Sequence, residues 1–268
     1  MSTLVIAKKE FEDAIRARTL QLLVAFFVGF TTLVFHYHRS RLGEDPTFTT
    51  LFDGIVGMLG VVVPVLGVMV GYNAIVAERE SGSLTLLLTL PHSRLDIMLG
   101  KFLGRSAIVV VTVAVGFILI GIQTILFTDL FSLTEFLLAA GEITLFGILF
   151  VAIAIAFSTA MRTSMTASIG ALGLTILFSF LWDFVTGLIV QFVHPIPATG
   201  SRITRTPAPN WTTLFQRLNP RRAFMEIGFV REPIPFYLDP WFGWVIVGFW
   251  LVVPLGLAYL RFQNSDLA

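Results

Sequence analysis

Six long apolar runs constrain the fold of this chain more than any other feature of its sequence. A helix needs roughly 20 apolar residues to cross the hydrocarbon core of a bilayer, and it pairs its backbone polar groups within itself. Charged residues make up only 13% of the chain, whereas soluble domains carry about 25%. The runs cover residues 20–37, 55–77, 106–127, 136–160, 167–193 and 241–260. The sequence therefore predicts an all-α membrane protein with six transmembrane helices in a single domain over residues 1–268.

The segment before the first run, residues 1–19, has the pattern of an amphipathic helix. Charged side chains separate apolar residues that recur at steps of three and four. These apolar residues are Leu4, Ala7, Phe11, Ala14 and Ile15. The pattern is typical of a helix that lies in the membrane interface. A plain solvated surface helix is the alternative interpretation.

The distribution of Lys and Arg favours one orientation of the six helices. With a cytoplasmic N-terminus, ten Lys and Arg residues fall in cytoplasmic segments and eight fall outside. Six of those eight lie in one long loop, residues 194–240, and long loops count little toward orientation. We therefore expect both termini to be cytoplasmic and the loop 194–240 to be external.

The polar segment between the second and third runs has the clearest internal punctuation. Residues 73–80 are expected to continue the second helix, and Gly82 is expected to end it in the left-handed conformation. An apolar stretch, residues 83–90, is expected to form a short helix closed by Pro91. Residues 93–96 then match the S-x-x-[DE] capping signature of a new helix. Such a segment would present leucines at the membrane surface with charged side chains around them.

This segment resembles the corresponding part of the type-2 ABC permease family, the membrane subunits of ABC exporters. The resemblance rests on Glu80-Ser-Gly-Ser-Leu84, Leu86–Leu88, Pro91-His-Ser-Arg94 and Leu99-Gly-Lys101, which stand in that order. The likeness extends to the N-terminal helix, the six spans and the long external loop. In that loop, Leu218-Asn-Pro220 and Arg222-Ala-Phe224 resemble the branch that includes the permease of nitrous-oxide reductase maturation.

The resemblance implies a permease that forms a translocation route and couples to a separate ATPase through a coupling helix in residues 78–101. The N-terminal amphipathic helix would share that contact. The implied coupling residues are Glu78, Arg79, Glu80, Gly82, Leu84, Leu86, Leu87, Leu88, Pro91 and Arg94. The resemblance further implies that the protein exports its substrate across a prokaryotic cell membrane as a homodimer, or as a heterodimer with a related permease. These 268 residues contain no G-x-x-x-x-G-K-[ST] phosphate loop, so we expect ATP to be bound and hydrolysed only by the partner.

Two acids inside the predicted spans, Glu142 and Asp183, are further candidates, because intramembrane acids are usually paired or functional. They could line a shared polar cavity, meet a cation, or pair with arginines of the external loop. Alternatively the fifth span ends near Trp182, and residues 184–193 dip back into the outer leaflet.

We expect no metal, cofactor or nucleic acid, because the chain lacks cysteine and has a net charge of only +1. The competing functions are an ATP-independent secondary carrier and an intramembrane enzyme.

Overall fold

The computed structural model describes residues 2–43, 46–83, 93–193, 210–225 and 240–263, and no strand occurs among them. Among the described residues, six helical segments are long and apolar enough to cross a membrane, which confirms the predicted fold class. They are Thr19–Arg39, Phe48–Glu80, Arg94–Phe127, Leu133–Ala160, Ser164–Val193 and Trp241–Gln263. The chain divides into two compact units, one of Met1–Leu172 with Val253–Ala268 and one of Gly173–Val252.

The first unit is built around five long helices and one short helix. They are α1 (Ser2–Arg16), α2 (Thr19–Arg39), α3 (Phe48–Gly71), α4 (Val76–Glu80), α5 (Arg94–Phe127) and α6 (Leu133–Ala160). Helix α3 packs along α6, and both α1 and α2 pack along α5. A further helix, α7 (Ser164–Ile176), begins in this unit, and the last turns of α11 (Pro240–Gln263) also belong to it.

Small residues explain the close packing of α3 on α6. A Cβ atom on Gly67 would lie 2.8 Å from the backbone oxygen of Gly147, and one on Gly71 would lie 2.7 Å from the Cβ of Ala154. Real Cβ contacts are longer, so only glycine fits at either position at this helix separation. The Gly67-x-x-x-Gly71 spacing therefore serves packing within the bundle.

The predicted punctuation after the second span is confirmed in two places and wrong in one. Helix α4 ends at Glu80, and Gly82 has a φ of 75°. Ser93 opens α5 with a capping box. However, residues 73–80 do not continue α3, because a turn over residues 72–75 separates α3 from α4. Polar side chains of neighbouring helices hold this turn, as described below.

The second unit contains a π-helical turn, a rare irregularity, within the predicted fifth span. Helix α7 passes into a π-helical turn (Leu177–Leu181) and then α8 (Trp182–Val193), followed by α9 (Asn210–Arg217) and α10 (Pro220–Met225). The side-chain amide of Asn219 donates to the Phe178 oxygen at 2.7 Å. Nη1 of Arg221 donates to the Ser179 oxygen at 3.2 Å. Residues after α9 thus hydrogen-bond the backbone of the π-helical turn.

Candidate functional site

Four charged side chains from three helices form one group, which we call the ion cluster: Glu10 of α1, Glu78 of α4, and Lys101 and Arg105 of α5. Nζ of Lys101 donates to Oε1 of Glu10 at 2.6 Å and to Oε1 of Glu78 at 2.7 Å. Nε of Arg105 donates to Oε2 of Glu10 at 2.8 Å. Lys101 therefore joins α1 and α4 to α5 through a single ammonium group.

Two members of the cluster are buried, whereas the side chains of Glu78 and Arg105 are partly exposed, at 20% and 23%. Lys101 is 2% exposed and Glu10 is 8% exposed. Burial on its own raises the pKa of the Glu10 carboxyl. The charges of Lys101 and Arg105, together with their hydrogen bonds, outweigh that effect and hold the pKa of Glu10 below its usual value. Glu10 is therefore a carboxylate at neutral pH.

Helix α1 lies close to α5 because α5 presents glycine to it. A Cβ atom on Gly100 would lie 2.6 Å from the Cβ of Ile6. One on Gly104 would lie 2.6 Å from the backbone oxygen of Ala7 and 2.7 Å from the Cβ of Glu10. Residues four apart share a helix face, so the two glycines form one shallow surface that receives α1 and lets Glu10 reach Lys101.

The same side chains support the turn between α3 and α4. Nη1 of Arg105 donates to the Val70 oxygen in the last turn of α3, at 3.0 Å. The hydroxyl oxygen of Ser158, on α6, accepts hydrogen bonds from the backbone N–H groups of Ile75 and Val76 at 2.9 Å and 3.0 Å. Helix ends leave such groups without intrahelical partners. Helices α5 and α6 therefore supply the hydrogen bonds that the broken helix lacks.

The predicted coupling residues at the start of the segment make contacts inside the chain. Glu78 belongs to the ion cluster. Arg79 donates to two backbone oxygens at the end of α6, at 2.6 Å and 3.2 Å. Glu80 accepts a hydrogen bond from the backbone N–H of Ser164 at 2.8 Å and another from its hydroxyl. In this structure the three side chains bind neighbouring helices.

The far end of the segment is also attached to the bundle. Arg94 donates to the backbone oxygens of Phe262 and Gln263, and its guanidinium lies 5.3 Å from the centre of the Phe262 ring. The apolar core of the segment lies outside the described residues. The predicted residues concerned are Leu84, Leu86, Leu87, Leu88 and Pro91.

The two acids predicted to lie inside the spans have different surroundings, and each belongs to a different unit. Glu142 is half-buried on α6, and Asp53 of α3 is its acidic neighbour. Asp183 of α8 is exposed and pairs with Nη2 of Arg222 at 2.6 Å. Arg222 lies in the loop that is predicted to be external, and its pair with Asp183 is one of the arrangements considered for that acid.

Sequence reasoning missed Glu10, Arg105, Ser158 and Ser164, and it noted Lys101 only as part of a motif. One local signal was present, because Gly100-x-x-x-Gly104 marks a helix face that another helix can approach closely. Nothing local shows which helix approaches it. Glu10 and Lys101 are 91 positions apart.

The depressed pKa of Glu10 gives an expected pH dependence. A carboxyl whose folded-state pKa is lowered contributes stability that is complete above its ordinary value of about 4.3 and disappears as pH falls through the folded value. Glu10→Gln imitates the protonated form. We expect the wild-type protein to melt above this variant from about pH 8 to about pH 5, and the difference to vanish only in stronger acid. Thermal unfolding of both proteins across that range checks this. A difference already lost near neutral pH would contradict the depressed pKa.

Comparison with known proteins places these features in a family context. A family model described as ABC-2 family transporter protein matches residues 4–267. The probable ABC transporter permease protein NosY of Pseudomonas aeruginosa is 31% identical over 188 residues, which are 66% of this chain and 67% of that protein. The protein of the same name from Stutzerimonas stutzeri is 30% identical over 187 residues, 67% of each chain. The family resemblance predicted from residues 80–101 is therefore confirmed.

Proposed function

The chain belongs to the ABC-2 family of transporter proteins and is a membrane subunit of an ABC transporter, and from this premise we propose how it couples to its partner. A separate ABC ATPase docks on the surface formed by α1 and residues 81–93. Nucleotide-driven movement of the ATPase pushes on that surface and switches the helices between two arrangements, a rigid-body transition of packed elements. The transported substrate leaves the cell.

The ion cluster is the observation that carries this proposal. It ties α1 and α4 to α5 at distances of 2.6–2.8 Å around the buried Lys101 and Glu10. Arg94 attaches the other end of the segment to the end of α11. A docking surface must be rigid if it is to transmit movement of the ATPase to the helices. Residues 81–93 meet this requirement at both ends, because Glu78 precedes them and Arg94 follows them, and both side chains bind the bundle.

The orientation and assembly follow from the same proposal. The ATPase is cytoplasmic, so α1, the ion cluster and both chain termini face the cytoplasm of a prokaryotic cell. Lys and Arg counts favour that orientation. Two permease chains, identical or related, pair around the translocation route. Helix α1 carries exposed apolar side chains at Leu4 and Val5 beside charged ones, as suits a helix in the membrane interface.

The proposal is tested by affinity purification of the tagged protein from native membranes in mild detergent. We expect wild type to recover a P-loop ATPase, and Leu87→Asp to lose it because a buried interface does not tolerate an unpaired carboxylate. Leu218→Asp is the matched control, since Leu218 is 40% exposed in the other unit and should recover the ATPase normally. Recovery of no ATPase by wild type would overturn the proposal and favour a carrier that works alone.

A further inference from the structure

Arg79 and Glu80, adjacent in sequence, bind the two sides of one turn. Helix α6 ends at Ala160 and α7 begins at Ser164, with residues 161–163 between them. Arg79 donates to the backbone oxygen of Thr159 at 3.2 Å and to that of Met161 at 2.6 Å. Glu80 accepts from both the backbone N–H and the hydroxyl of Ser164. One dipeptide therefore caps the end of one helix and the start of the next.

The charge signs match the helix ends. The last carbonyls of a helix carry partial negative charge and the first N–H groups carry partial positive charge. The cationic side chain meets the C-terminus of α6, and the anionic side chain meets the N-terminus of α7. Thr163 supplies the ordinary cap of α7, because its hydroxyl oxygen accepts from the Thr166 N–H at 3.2 Å. Glu80 adds a second cap from another part of the chain.

The capping also runs in the opposite direction. Ser158 of α6 accepts from the backbone N–H groups of Ile75 and Val76, where α4 starts. Its side chain is fully buried. Helix α4 thus caps the α6–α7 turn while α6 caps α4. Reciprocal caps of this kind fix the two parts against each other at three separate points.

We propose that Arg79 and Glu80 are positioning residues that clamp α4 to the α6–α7 turn, so that movement of residues 81–93 is delivered to the start of α7. This inference rests on the proposed function and adds the path that the movement takes. It assigns Glu80 to an intramolecular contact and leaves ATPase binding to the apolar residues of the segment. The first turns of the fifth span then move together with α4.

The test removes the contact from its two sides. Glu80→Ala deletes the acceptor. Ser164→Pro deletes both donors, the N–H and the hydroxyl, at the first position of a helix, where proline is well tolerated. Ser168→Ala is the control, since within the described part of the chain the Ser168 hydroxyl donates to the Met165 oxygen of the same helix. The chain has no cysteine, so spin labels at Ser81→Cys and Arg162→Cys report the distance between α4 and the turn without background labelling.

We expect one narrow distance peak in the wild-type background and in Ser168→Ala, and a clearly broader distance distribution in Glu80→Ala and in Ser164→Pro, in which the Arg79 and Ser158 contacts remain. Both of these variants should still recover the ATPase. The distance distribution of the double variant should be no broader than that of either single variant, because the two substitutions remove the same contact. A narrow peak in both variants would overturn the clamp. Loss of the ATPase by Glu80→Ala but not by Ser164→Pro would also overturn it, by making Glu80 a direct contact. Failure of wild type to recover an ATPase would instead refute the proposed function.

Discussion

Lys101→Met should destabilise this protein more than any other single substitution at the ion cluster. Lys101 is 2% exposed and pairs with both Glu10 and Glu78. Methionine has a similar length, removes the cation that pairs with the partly buried Glu78, and leaves the buried Glu10 paired with Arg105. Removing one partner of a buried ion pair typically lowers the free energy of unfolding by about 3–5 kcal/mol. Thermal unfolding in detergent measures the change, and recovery of the ATPase should fall with it.

Lys8→Met is the matched control for that substitution. Lys8 lies on α1 and pairs with Glu12 at 3.7 Å, but its side chain is 77% exposed. Exposed pairs of this kind contribute little because water screens them, so the melting temperature should not move. If Lys8→Met and Lys101→Met lowered the melting temperature equally, burial of Lys101 would not be the cause of the larger expected effect.

A second substitution distinguishes two causes of the destabilisation by Lys101→Met. One is the loss of the ion pairs, and the other is the cost of leaving a carboxylate without its cation. Glu78→Gln in the Lys101→Met background removes the carboxylate that is left without its cation. If the second cause dominates, the double variant should be more stable than Lys101→Met alone, as expected for residues that share one network. A double variant that is less stable by the sum of both single effects would show that the two side chains act independently.

The features that could be predicted from the sequence are those whose cause is local. Apolar runs of sufficient length give the six spans. Gly82 tolerates a positive φ, and Ser93 with Asp96 forms a capping box within four residues. Each of these depends on neighbours in the chain, so the physical rule can be applied without knowing the fold.

The ion cluster and the clamp could not be predicted, because their partners are distant in sequence. Glu80 and Ser164 are 84 positions apart. Nothing in the sequence around Glu80 indicates that the first turn of α7 lies next to it in the fold. The interpretation of Arg79 and Glu80 as a rim around a docking surface followed from their position between two spans. The break between α3 and α4 was missed for the same reason, since Ser158 and Arg105 hold it from other helices.

Gly104→Leu should detach α1 from α5 by steric exclusion alone. Even the first atom of the new side chain would lie 2.6 Å from the Ala7 oxygen and 2.7 Å from the Cβ of Glu10. The Ala7 oxygen belongs to the α1 backbone, so it cannot yield unless the helix moves. Overpacking of this kind typically costs about 1–3 kcal/mol. Gly29→Leu on α2 is the control, because a Cβ there meets nothing within 4 Å, and it should leave stability unchanged.

The two substitutions should also differ in which helix they release, and this distinguishes the roles of glycine and lysine. Gly104→Leu displaces α1 but leaves Lys101 able to pair with Glu78, whereas Lys101→Met loosens α1 and α4 together. Single cysteines at Ala14, which is 8% exposed, and Ala74, which is 1% exposed, report the two regions by their rate of reaction with a soluble maleimide. Gly104→Leu should accelerate labelling at position 14 only, and Lys101→Met should accelerate it at both. Slow labelling at position 14 in Gly104→Leu would mean that α1 does not depend on the glycine surface, and the ion cluster alone would then have to hold it.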